Sequence, residues 1–504
     1  MTNEIKHLPT DPDALQKMVL SLQSQVKNLT AEKLHLIEQF RLAQQQRFGT
    51  RSEGHPAQGD LFNEVEVELD VVEEVAESTP TTAKKKPVRK KLPTDLEREV
   101  IIHDLSEEEK TCTCCGHHLH QMGESRSEKL EFIPAKVKVI EHVRLKYSCR
   151  ACEKENVSTQ VKTAPLPPSP IPKGIATPSL LSQIITSKYQ YALPLYRQES
   201  LFKQYGIALS RKTMSEWMMK CSELFKPLYD KLQETLLQQG VIQADETTLN
   251  VINEDKAKCY MWLYCTGTDA PTQNEIPNIV LFDSQSGRGG QCAVDYLGKY
   301  KGYLQVDGYA GYHKTQATLV GCWAHARRKF KEAEIAQPKG KTGKANMALN
   351  HIQKLYRLEI ALKDKTTDEK YQTRQEKAKP LLAQFYQWLE KANVPPKTAL
   401  GKAIQYSKNQ WPKLIRYIED GRLNIDNNRA ERAVKPFVIG RKNWLFSNTA
   451  KGAKASAMLY SMIETAKANG LVPFDYLRHC LEQLSQPEVD INELLPWNVK
   501  LMGK

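Results

Sequence analysis

The stretch that decides the fold is VIQADETTL, Val241–Leu249. It is a short apolar run with several β-branched residues, and the break at Gln238–Gly240 precedes it. We therefore predict a buried strand that begins a new domain. Asp245 lies in the middle of this run, and a carboxylate in a buried strand is costly unless something compensates its charge. A metal ion would compensate it, and a metal ion needs more than one acid.

Two later acids are candidates for the same site. Asp307 ends another predicted strand in LQVDG, and Glu431 lies on a predicted helix in NNRAER. We expect the three acids to meet and to hold two Mg²⁺ ions for cutting and joining DNA. Such ions activate a water or a 3′-hydroxyl and stabilise the leaving oxygen, and hard cations of this kind prefer carboxylates. No motif for a covalent nucleophile or a phosphate-binding loop stands out.

Each acid also has a purely structural alternative. Asp245 can be a satisfied polar residue of the strand, with its neighbour Glu246 as the metal ligand. Asp307 can simply begin a turn, because Asp-Gly is common there. Glu431 can be the third position of a capping box with Asn428. Each alternative is reasonable alone, whereas the three acids in this element order favour shared metal binding.

The order of predicted elements around the acids indicates an RNase-H-like α/β core. That fold places the acid of the first strand beside the acid that ends the fourth. We predict the core over 239–336 and 423–470, an all-α insertion over 337–422 and a C-terminal tail over 471–504. The predicted strands are Val241–Val251, Cys259–Thr266, Asn278–Asp283, Gly302–Val306 and Thr318–Gly321; the predicted helices are Gly289–Lys299, Trp323–Glu334 and Asn427–Val438.

Composition adds limits on function. The chain has 504 residues, enough for roughly three domains, with 40% hydrophobic and 26% charged residues, as in ordinary soluble proteins. A net charge of +13 and a pI near 9.0 favour a polyanionic partner, most often nucleic acid. The first residues contain no apolar signal core and no run reaches the length of a membrane span, so we expect a cytoplasmic protein with no membrane partner.

The first predicted segment, residues 13–48, repeats with a period of seven. Four leucines occupy one seam position, and the other seam position has three apolar residues and one lysine. This pattern is typical of a short coiled coil that joins two copies of the chain, and the alternative is a helix packed on its own domain. The seam residues are Leu15, Leu22, Leu29 and Leu36 with Val19, Val26, Lys33 and Phe40.

A charged linker is predicted over 49–94. Asp60–Glu77 has eight acidic residues and no basic one, whereas Lys84–Lys91 has six basic residues. The basic octapeptide either contacts phosphates or is a solvated tether.

A zinc-binding, β-rich domain is predicted over 95–163. Two C-x-x-C pairs, Cys112 with Cys115 and Cys149 with Cys152, flank the strand-like runs Lys129–Ile133 and Lys136–Leu145. Four thiolates from two such knuckles suit a tetrahedral structural Zn²⁺ site. Other nearby residues are possible substitute ligands, namely Cys114, His117, His118 and His120.

After the proline-rich boundary Ala164–Pro172, residues 173–238 are predicted to be helical. Within them a helix through Tyr205, a turn at Gly206 and a second helix capped by Ser210 have the spacing of a helix-turn-helix. Arg211 and Lys212 then begin a DNA-binding helix. The alternative is an ordinary helical hairpin.

Two basic clusters flank the predicted sheet. CWAHARRKF supplies His325, Arg327 and Arg328. The segment Asp426–Lys454 has seven basic residues against two acids, interleaved with aromatic residues, which suits phosphate contact with base stacking. His325 can also be a structural residue at a helix start. From the second cluster we select Arg432, Lys435, Arg441 and Lys442 as DNA contacts.

Several long motifs resemble the transposases of the bacterial insertion-sequence sixty-six family, over nearly the whole chain. The resemblance implies a DDE transposase with a leucine-zipper-like helix, a zinc-binding domain and an RNase-H-like core with a helical insertion. By motif, the family's acidic triad falls on Asp245, Asp307 and Glu431. The motifs are RFGTRSE, CTCCG, SKYQYALPLYRQE, QADET, VDGYAGY, CWAHARRKF, NNRAERAVKPFVIGRKNWLF and LLPWN.

The sequence thus predicts a DNA transposase that binds terminal inverted repeats and uses Mg²⁺ or Mn²⁺ for strand cleavage and transfer. We expect a homo-oligomer, because two element ends must be joined, and accessory proteins encoded by the same element are possible partners. The alternative is a catalytically inactive DNA-binding regulator. A plain RNase-H-like nuclease fits less well, because hydrolysis alone requires neither a coiled coil nor a zinc domain.

Overall fold

The computed structural model describes residues 11–48, 98–102, 110, 129, 136–148, 161–254, 258–268, 276–337 and 343–500. They belong to two compact units, one over Glu77–Ala164 and the other over Met1–Ala76 with Pro165–Lys504. The chain is a mixed α+β protein with a long N-terminal helix and a five-stranded sheet. None of the described helices combines the length and apolar composition needed to cross a bilayer.

The N-terminal helix α1 spans Pro12–Phe48, in agreement with the predicted heptad segment. Near its C-terminal end, Arg41 donates to the Ala336 carbonyl at 2.8 Å and Glu38 accepts from the Ala399 amide at 2.9 Å. The seam leucines Leu29 and Leu36 are 64% and 68% exposed. The described residues therefore leave these seam leucines exposed, although the C-terminal end of α1 contacts its own domain.

In the smaller unit, β1 (Lys146–Tyr147) pairs antiparallel with β2 (Lys162–Thr163). The prediction of a strand over Lys136–Leu145 is wrong, because residues 136–145 have no strand structure and are exposed. A strand needs a ladder of backbone hydrogen bonds, and within the described residues this run has a single one, from the Ala164 amide to the Leu145 carbonyl at 3.2 Å. The four predicted zinc ligands, Cys112, Cys115, Cys149 and Cys152, lie outside the described residues.

Between residues 173 and 240, all of which are described, four helices lead to the sheet: α2 (Pro178–Tyr189), α3 (Leu195–Gln204), α4 (Arg211–Leu224) and α5 (Lys226–Leu237). The turn after α3 contains Gly206 with φ of 74°, a value that glycine adopts without strain. Ser210 caps α4, because its hydroxyl accepts a hydrogen bond from the Thr213 amide at 3.1 Å. The predicted helix-turn-helix elements are present, and Arg211 and Lys212 are exposed at the start of α4.

The sheet has the order β5-β4-β3-β6-β7, and its bounds agree with the predicted strands to within two residues. Strand β3 is central, antiparallel to β4 and parallel to β6. Helix α6 lies between β5 and β6, and a 3₁₀ turn, Ala310–Lys314, lies between β6 and β7. The bounds are β3 Val241–Asn250, β4 Lys258–Thr266, β5 Ile279–Gln285, α6 Gly290–Leu297, β6 Tyr303–Gln305 and β7 Thr318–Val320.

Helix α7 (Trp323–Ile335) follows the sheet, and the helices α8 (Lys344–Ala361), α9 (Thr367–Thr373), α10 (Lys379–Lys391) and α11 (Ala399–Leu414) form the insertion. A π-helical turn joins α9 to α10 and contains the buried Arg374. This guanidinium donates to Glu359 at 2.6 Å and to the backbone carbonyls of residues 417, 420 and 423. Trp323 and Phe330 of α7 pack into the core of the insertion, so the insertion is fixed to the helix that follows β7.

The remaining helices are α12 (Asn428–Trp444), α13 (Ala450–Ala468) and α14 (Pro473–Gln483). Helix α13 covers the edge strand β5. Ser461 accepts from the Phe282 amide at 2.8 Å, and Thr465 both accepts from the Val280 amide and donates to the Val280 carbonyl. An uncovered edge offers unpaired backbone groups to other chains, and here hydroxyl side chains of a helix satisfy them.

A buried amide network attaches the segment before α12 to the centre of the sheet. Gln243 of β3 donates to Gln305 of β6 at 3.3 Å. Gln305 donates to the Asn424 carbonyl at 2.7 Å and accepts from the Asn424 amide at 3.2 Å. Both glutamines are at most 4% exposed, so these hydrogen bonds offset the cost of burying them. The network fixes where α12 begins relative to β3 and β6.

We expect Gln305→Leu to lower the free energy of unfolding by roughly 1–3 kcal/mol, because both backbone groups of Asn424 would lose their partner. Gln405→Leu is the control, since Gln405 is exposed and such a change usually stays within about 0.5 kcal/mol. Urea unfolding followed by tryptophan fluorescence measures both. Equal urea midpoints for the two variants would show that the glutamine network does not stabilise the segment before α12.

Candidate active site

Strand pairing brings the first two acids together. In the parallel pair, Val241, Ile242 and Gln243 of β3 lie opposite Tyr303, Leu304 and Gln305 of β6. The same register, carried two residues past the end of the ladder, brings Asp307 opposite Asp245. Asp307 accepts a hydrogen bond from the Tyr309 amide at 2.8 Å, so it also begins the turn that its sequence suggested.

Glu431 reaches the same place from the first turn of α12. Just before this helix, Asn427 donates to the Ala244 carbonyl at 2.9 Å, one residue from Asp245. Glu431 is 2% exposed, and neither of its carboxylate oxygens has a hydrogen-bond partner. The capping-box alternative requires the Glu431 side chain to accept a backbone N–H bond, and the structure has no such bond.

Burial and neighbouring acids raise the pKa values of Asp245 and Glu431. Burial raises the pKa of Asp245 well above its usual value, and Glu246, Glu431 and Asp307 raise it further. Burial also raises the pKa of Glu431, against the opposing effects of His325 and Arg328, and Asp307 adds to the rise. Like charges act on each other in this way only when they lie close together. Asp245, Asp307 and Glu431 therefore lie near one another, although their carboxylate oxygens are not all within 4.8 Å of one another.

The unsatisfied oxygens of this site fit a cation. Asp245 Oδ1 accepts from the Glu246 amide at 2.8 Å, but Asp245 Oδ2 is buried with no hydrogen-bond partner. The two buried oxygens of Glu431 are in the same situation. Buried polar atoms normally have a partner, and carboxylate oxygens are the ligands that Mg²⁺ and Mn²⁺ prefer.

Glu246, the alternative ligand, is occupied elsewhere. It accepts from Arg288 Nε at 2.8 Å and from the Tyr312 hydroxyl at 2.5 Å. Burial and Asp307 raise its pKa to about 7, and the bonds from Tyr312 and Arg288 oppose this rise. The guanidinium of Arg288 also stacks on Tyr309, with its Cζ atom 3.9 Å from the centroid of the ring. Because both of its oxygens already accept hydrogen bonds, Glu246 is a poorer ligand candidate than Asp245, which has a buried oxygen with no partner.

A second group of possible ligands includes Glu431. Within the described ranges, the one trio of histidine, cysteine or acidic ligand atoms that all lie within 4.8 Å of one another comes from Cys322, His325 and Glu431. His325 Nδ1 lies 3.8 Å from Glu431 Oε1. Sequence reasoning missed Cys322, although its C-x-x-H spacing in CWAHARRKF was a usable signal. Arg288 and Tyr312 had no local signal, since they act only through tertiary contacts.

The predicted DNA contacts fall in different places. Arg328 lies near enough to Glu431 to lower its pKa. Arg327 is 6% exposed and lines a cavity of about 160 Å³ with residues of α8, which removes it from any exposed DNA surface. Arg441 of α12 donates to the Thr248 hydroxyl of β3 at 3.0 Å. Arg211 and Lys212 are exposed on α4.

The remaining basic residues lie along α12. Arg432 and Lys435 are half-buried and Lys442 is exposed. Their spacing in a helix puts these three on one side, because each residue advances by 100°. The exposed Leu445 and Phe446 follow at the end of the helix. This basic side of α12, defined by Arg432, Lys435 and Lys442, begins next to Glu431.

We expect Asp245→Asn to raise the free energy of unfolding at pH 8, without divalent cations, by roughly 0.5–2 kcal/mol. The pKa of Asp245 is raised in the fold, so ionisation destabilises the folded state as pH rises from the unfolded pKa through the raised value. The gain should therefore disappear near pH 4. Thermal or urea unfolding measures the difference in stability, and Asp295→Asn at an exposed position is the control. An Asp245→Asn variant that is no more stable than the wild type at pH 8 would contradict the destabilising effect of ionised Asp245.

Comparison with known proteins places these features in one family. Residues 173–455 match the model described as Transposase IS66 family, and residues 109–153 match the zinc-finger binding domain of transposase IS66. Residues 461–497 match the IS66 C-terminal element, and residues 35–101 match the model described as Transposase C of IS166 homeodomain.

Similar proteins extend over the full chain. The uncharacterized protein y4qI of Sinorhizobium fredii (strain NBRC 101917 / NGR234) is 32% identical over an alignment of 547 positions that covers 99% of each chain. The uncharacterized protein y4jD of the same organism is 31% identical over 98% of each chain. The main family model spans more than half of the residues and includes all three acids. The chain therefore belongs to the IS66 transposase family.

Proposed function

We propose that the protein is an active DDE transposase. It binds the terminal inverted repeats of its insertion sequence, hydrolyses a phosphodiester to free a 3′-hydroxyl, and directs that hydroxyl at target DNA. Asp245, Asp307 and Glu431 are its catalytic carboxylates and hold Mg²⁺ or Mn²⁺. The observation that carries the proposal is that Asp245 and Glu431, which lie near Asp307, both have buried carboxylate oxygens without hydrogen-bond partners.

The proposal includes an RNase-H-like core. Three antiparallel strands are followed by two strands parallel to the first, in the order β5-β4-β3-β6-β7, and this order supports it. One acid lies on the first strand, one follows the fourth, and one lies on a later helix. The insertion α8–α11 separates the third acid from the sheet in sequence but not in space.

The protein groups have distinct parts in this reaction. When bound, the divalent ions activate the attacking oxygen and stabilise the leaving one. Backbone amides of Glu246 and Tyr309 orient Asp245 and Asp307. Arg288 and Tyr312 donate hydrogen bonds to Glu246 and so make it less available as a metal ligand.

DNA binding is assigned to two surfaces. The basic side of α12 begins beside Glu431 and suits the phosphates next to the scissile bond, with His325 and Arg328 as further contacts at the site. Arg211 and Lys212, at the exposed start of α4, suit recognition of the terminal repeats in the manner of a helix-turn-helix. Arg441 contributes by holding α12 on β3 through the Thr248 hydroxyl.

A structural Zn²⁺ at Cys112, Cys115, Cys149 and Cys152 is the second metal of the proposal. The zinc-finger match over 109–153 supports zinc in this region, and the two C-x-x-C pairs suit a closed tetrahedral site. Cys114 and the nearby histidines are the alternative ligands. One equivalent of zinc in the purified chain, absent from the Cys112→Ser, Cys149→Ser double variant, would support the assignment; unchanged zinc would refute it.

The exposed seam of α1 supports self-association. Leu22, Leu29 and Leu36 are each at least 48% exposed, and a second copy of the helix would bury them. A homo-oligomer would bring two element ends together in the cytoplasm, with or without accessory proteins of the same element. Light scattering of the chain with Leu22→Glu and Leu29→Glu tests this, and an unchanged mass would exclude the seam.

Asp307→Asn should reduce Mg²⁺-dependent strand transfer on DNA that carries the element ends by roughly a thousandfold, since a metal site contributes several kcal/mol to such a reaction. Asn keeps the bond from the Tyr309 amide, so the fold should be unchanged. Asp295→Asn is the control. End binding by the wild type without nicking or joining, even with companion proteins, would instead favour a catalytically inactive DNA-binding regulator.

Lys435→Ala with Lys442→Ala should weaken binding to all DNA sequences similarly. The slope of log affinity against log salt should also fall by roughly one for each phosphate that the protein no longer neutralises. Lys391→Ala is the control, because Lys391 is exposed at the far end of the insertion helix α10. Gel-shift titrations at several salt concentrations measure the affinity and its salt dependence. An unchanged slope would show that the basic side of α12 does not contact DNA phosphates.

A further inference from the structure

Cys322, His325 and Glu431 form a cluster whose chemistry differs from that of the three carboxylates. Their ligand atoms, one sulfur, one nitrogen and one oxygen, all lie within 4.8 Å of one another. We propose that this cluster binds Zn²⁺, or a similar transition ion such as Co²⁺, and thereby withdraws Glu431 from the magnesium site. The site is thus a place where zinc inhibits the enzyme.

The geometry comes from the starts of two helices. Cys322 is the residue before α7 and His325 lies in the first turn of α7, so their i, i+3 spacing puts both on one side. Glu431 lies in the first turn of α12. With zinc bonds of roughly 2.0–2.3 Å, neighbouring ligand atoms of a tetrahedral site are roughly 3.3–3.8 Å apart. The distance of 3.8 Å between His325 Nδ1 and Glu431 Oε1 is already at the upper end of this range.

The donor set selects the ion. Mg²⁺ takes oxygen ligands and binds sulfur poorly, whereas Zn²⁺ and Co²⁺ accept sulfur, imidazole nitrogen and carboxylate together. Three protein ligands leave a fourth position for water, as in zinc sites that are not purely structural. The cluster is therefore suited to zinc, and the three carboxylates are suited to magnesium.

The surroundings also fit a metal site. Both carboxylate oxygens of Glu431 are buried without a hydrogen-bond partner. The Asn427 amide donates to Cys322 Sγ at 3.3 Å, which is the kind of outer hydrogen bond that orients a thiolate ligand. Cys322 and Glu431 are each 2% exposed, whereas the side chain of His325 is 22% exposed and offers a path for the ion.

Binding requires a proton to leave. Cys322 would bind the metal ion as a thiolate, so its thiol proton must be released. As the metal binds, the S–H bond breaks, a sulfur–metal bond forms and the proton passes to solvent. Inhibition by zinc rests on the proposed function, because it requires Glu431 to be a ligand of the catalytic magnesium. Binding of zinc by the cluster does not depend on that role.

The test uses the full chain loaded with one equivalent of Zn²⁺, which is sufficient for the zinc domain alone, and then titrated with Co²⁺. We expect one further equivalent of Co²⁺ with a thiolate-to-cobalt absorption band, and competition for it by Zn²⁺. Cys322→Ser should abolish the band and bind this equivalent at least roughly tenfold more weakly, as expected when a direct ligand is removed. His325→Asn is a second variant with the same expected decrease in affinity, should Cys322→Ser fail to fold.

Two controls separate this site from its neighbours. Cys292→Ser removes a free cysteine outside the cluster, and Asp245→Asn removes a carboxylate of the magnesium site; both should keep the band. A band that survives Cys322→Ser, or no band in the wild type, would overturn the inference. Strand transfer with Mg²⁺ by the same wild-type preparation is measured separately, so failure of the proposed function is distinguishable from failure of the zinc site.

Discussion

The central constraint on this structure is the burial of like-charged carboxylates at one place. Asp245, Glu246 and Glu431 lie in or beside the sheet where water cannot screen them, and burial raises the pKa of each. An arrangement of this kind costs stability unless cations compensate it. Arg288 compensates Glu246 directly, whereas Asp245 and Glu431 retain oxygens without a partner. This difference between neighbouring acids is the basis for the metal site that we propose at Asp245 and Glu431.

Much of the surrounding fold fixes the relative positions of the three acids. The parallel pairing of β3 and β6 sets Asp307 opposite Asp245, and the Gln243–Gln305 network ties the approach to α12 to the same two strands. Because α12 is fixed at its first turn, Glu431 needs no hinge to reach the site. Glu431 also lies beside Cys322 and His325, and a carboxylate shared between an oxygen-rich site and a site with sulfur and nitrogen can serve one ion at a time.

Sequence alone determined the elements and the identity of the family. The apolar pattern placed all five strands and the helices around them to within a few residues of their bounds, except for the end of α12, because period and turn residues are local properties. It failed for Lys136–Leu145, where an alternating run forms no ladder of backbone hydrogen bonds among the described residues. The long motifs, with their order along the chain, indicated the transposase family before any geometry was known.

Tertiary structure decided which atoms of the site have partners. The choice of Asp245 over Glu246 depends on Arg288 and Tyr312, which are 42 and 66 residues away from Glu246. Arg327 and Arg328 are adjacent in sequence, yet one is buried against α8 and the other lies near Glu431. Cys322 lies close to Glu431 only because α7 and α12 are neighbours in the folded chain, so its local sequence does not reveal this contact. Local pattern fixes the backbone conformation, but hydrogen-bond partners and burial depend on contacts between distant segments, which no short stretch of sequence contains.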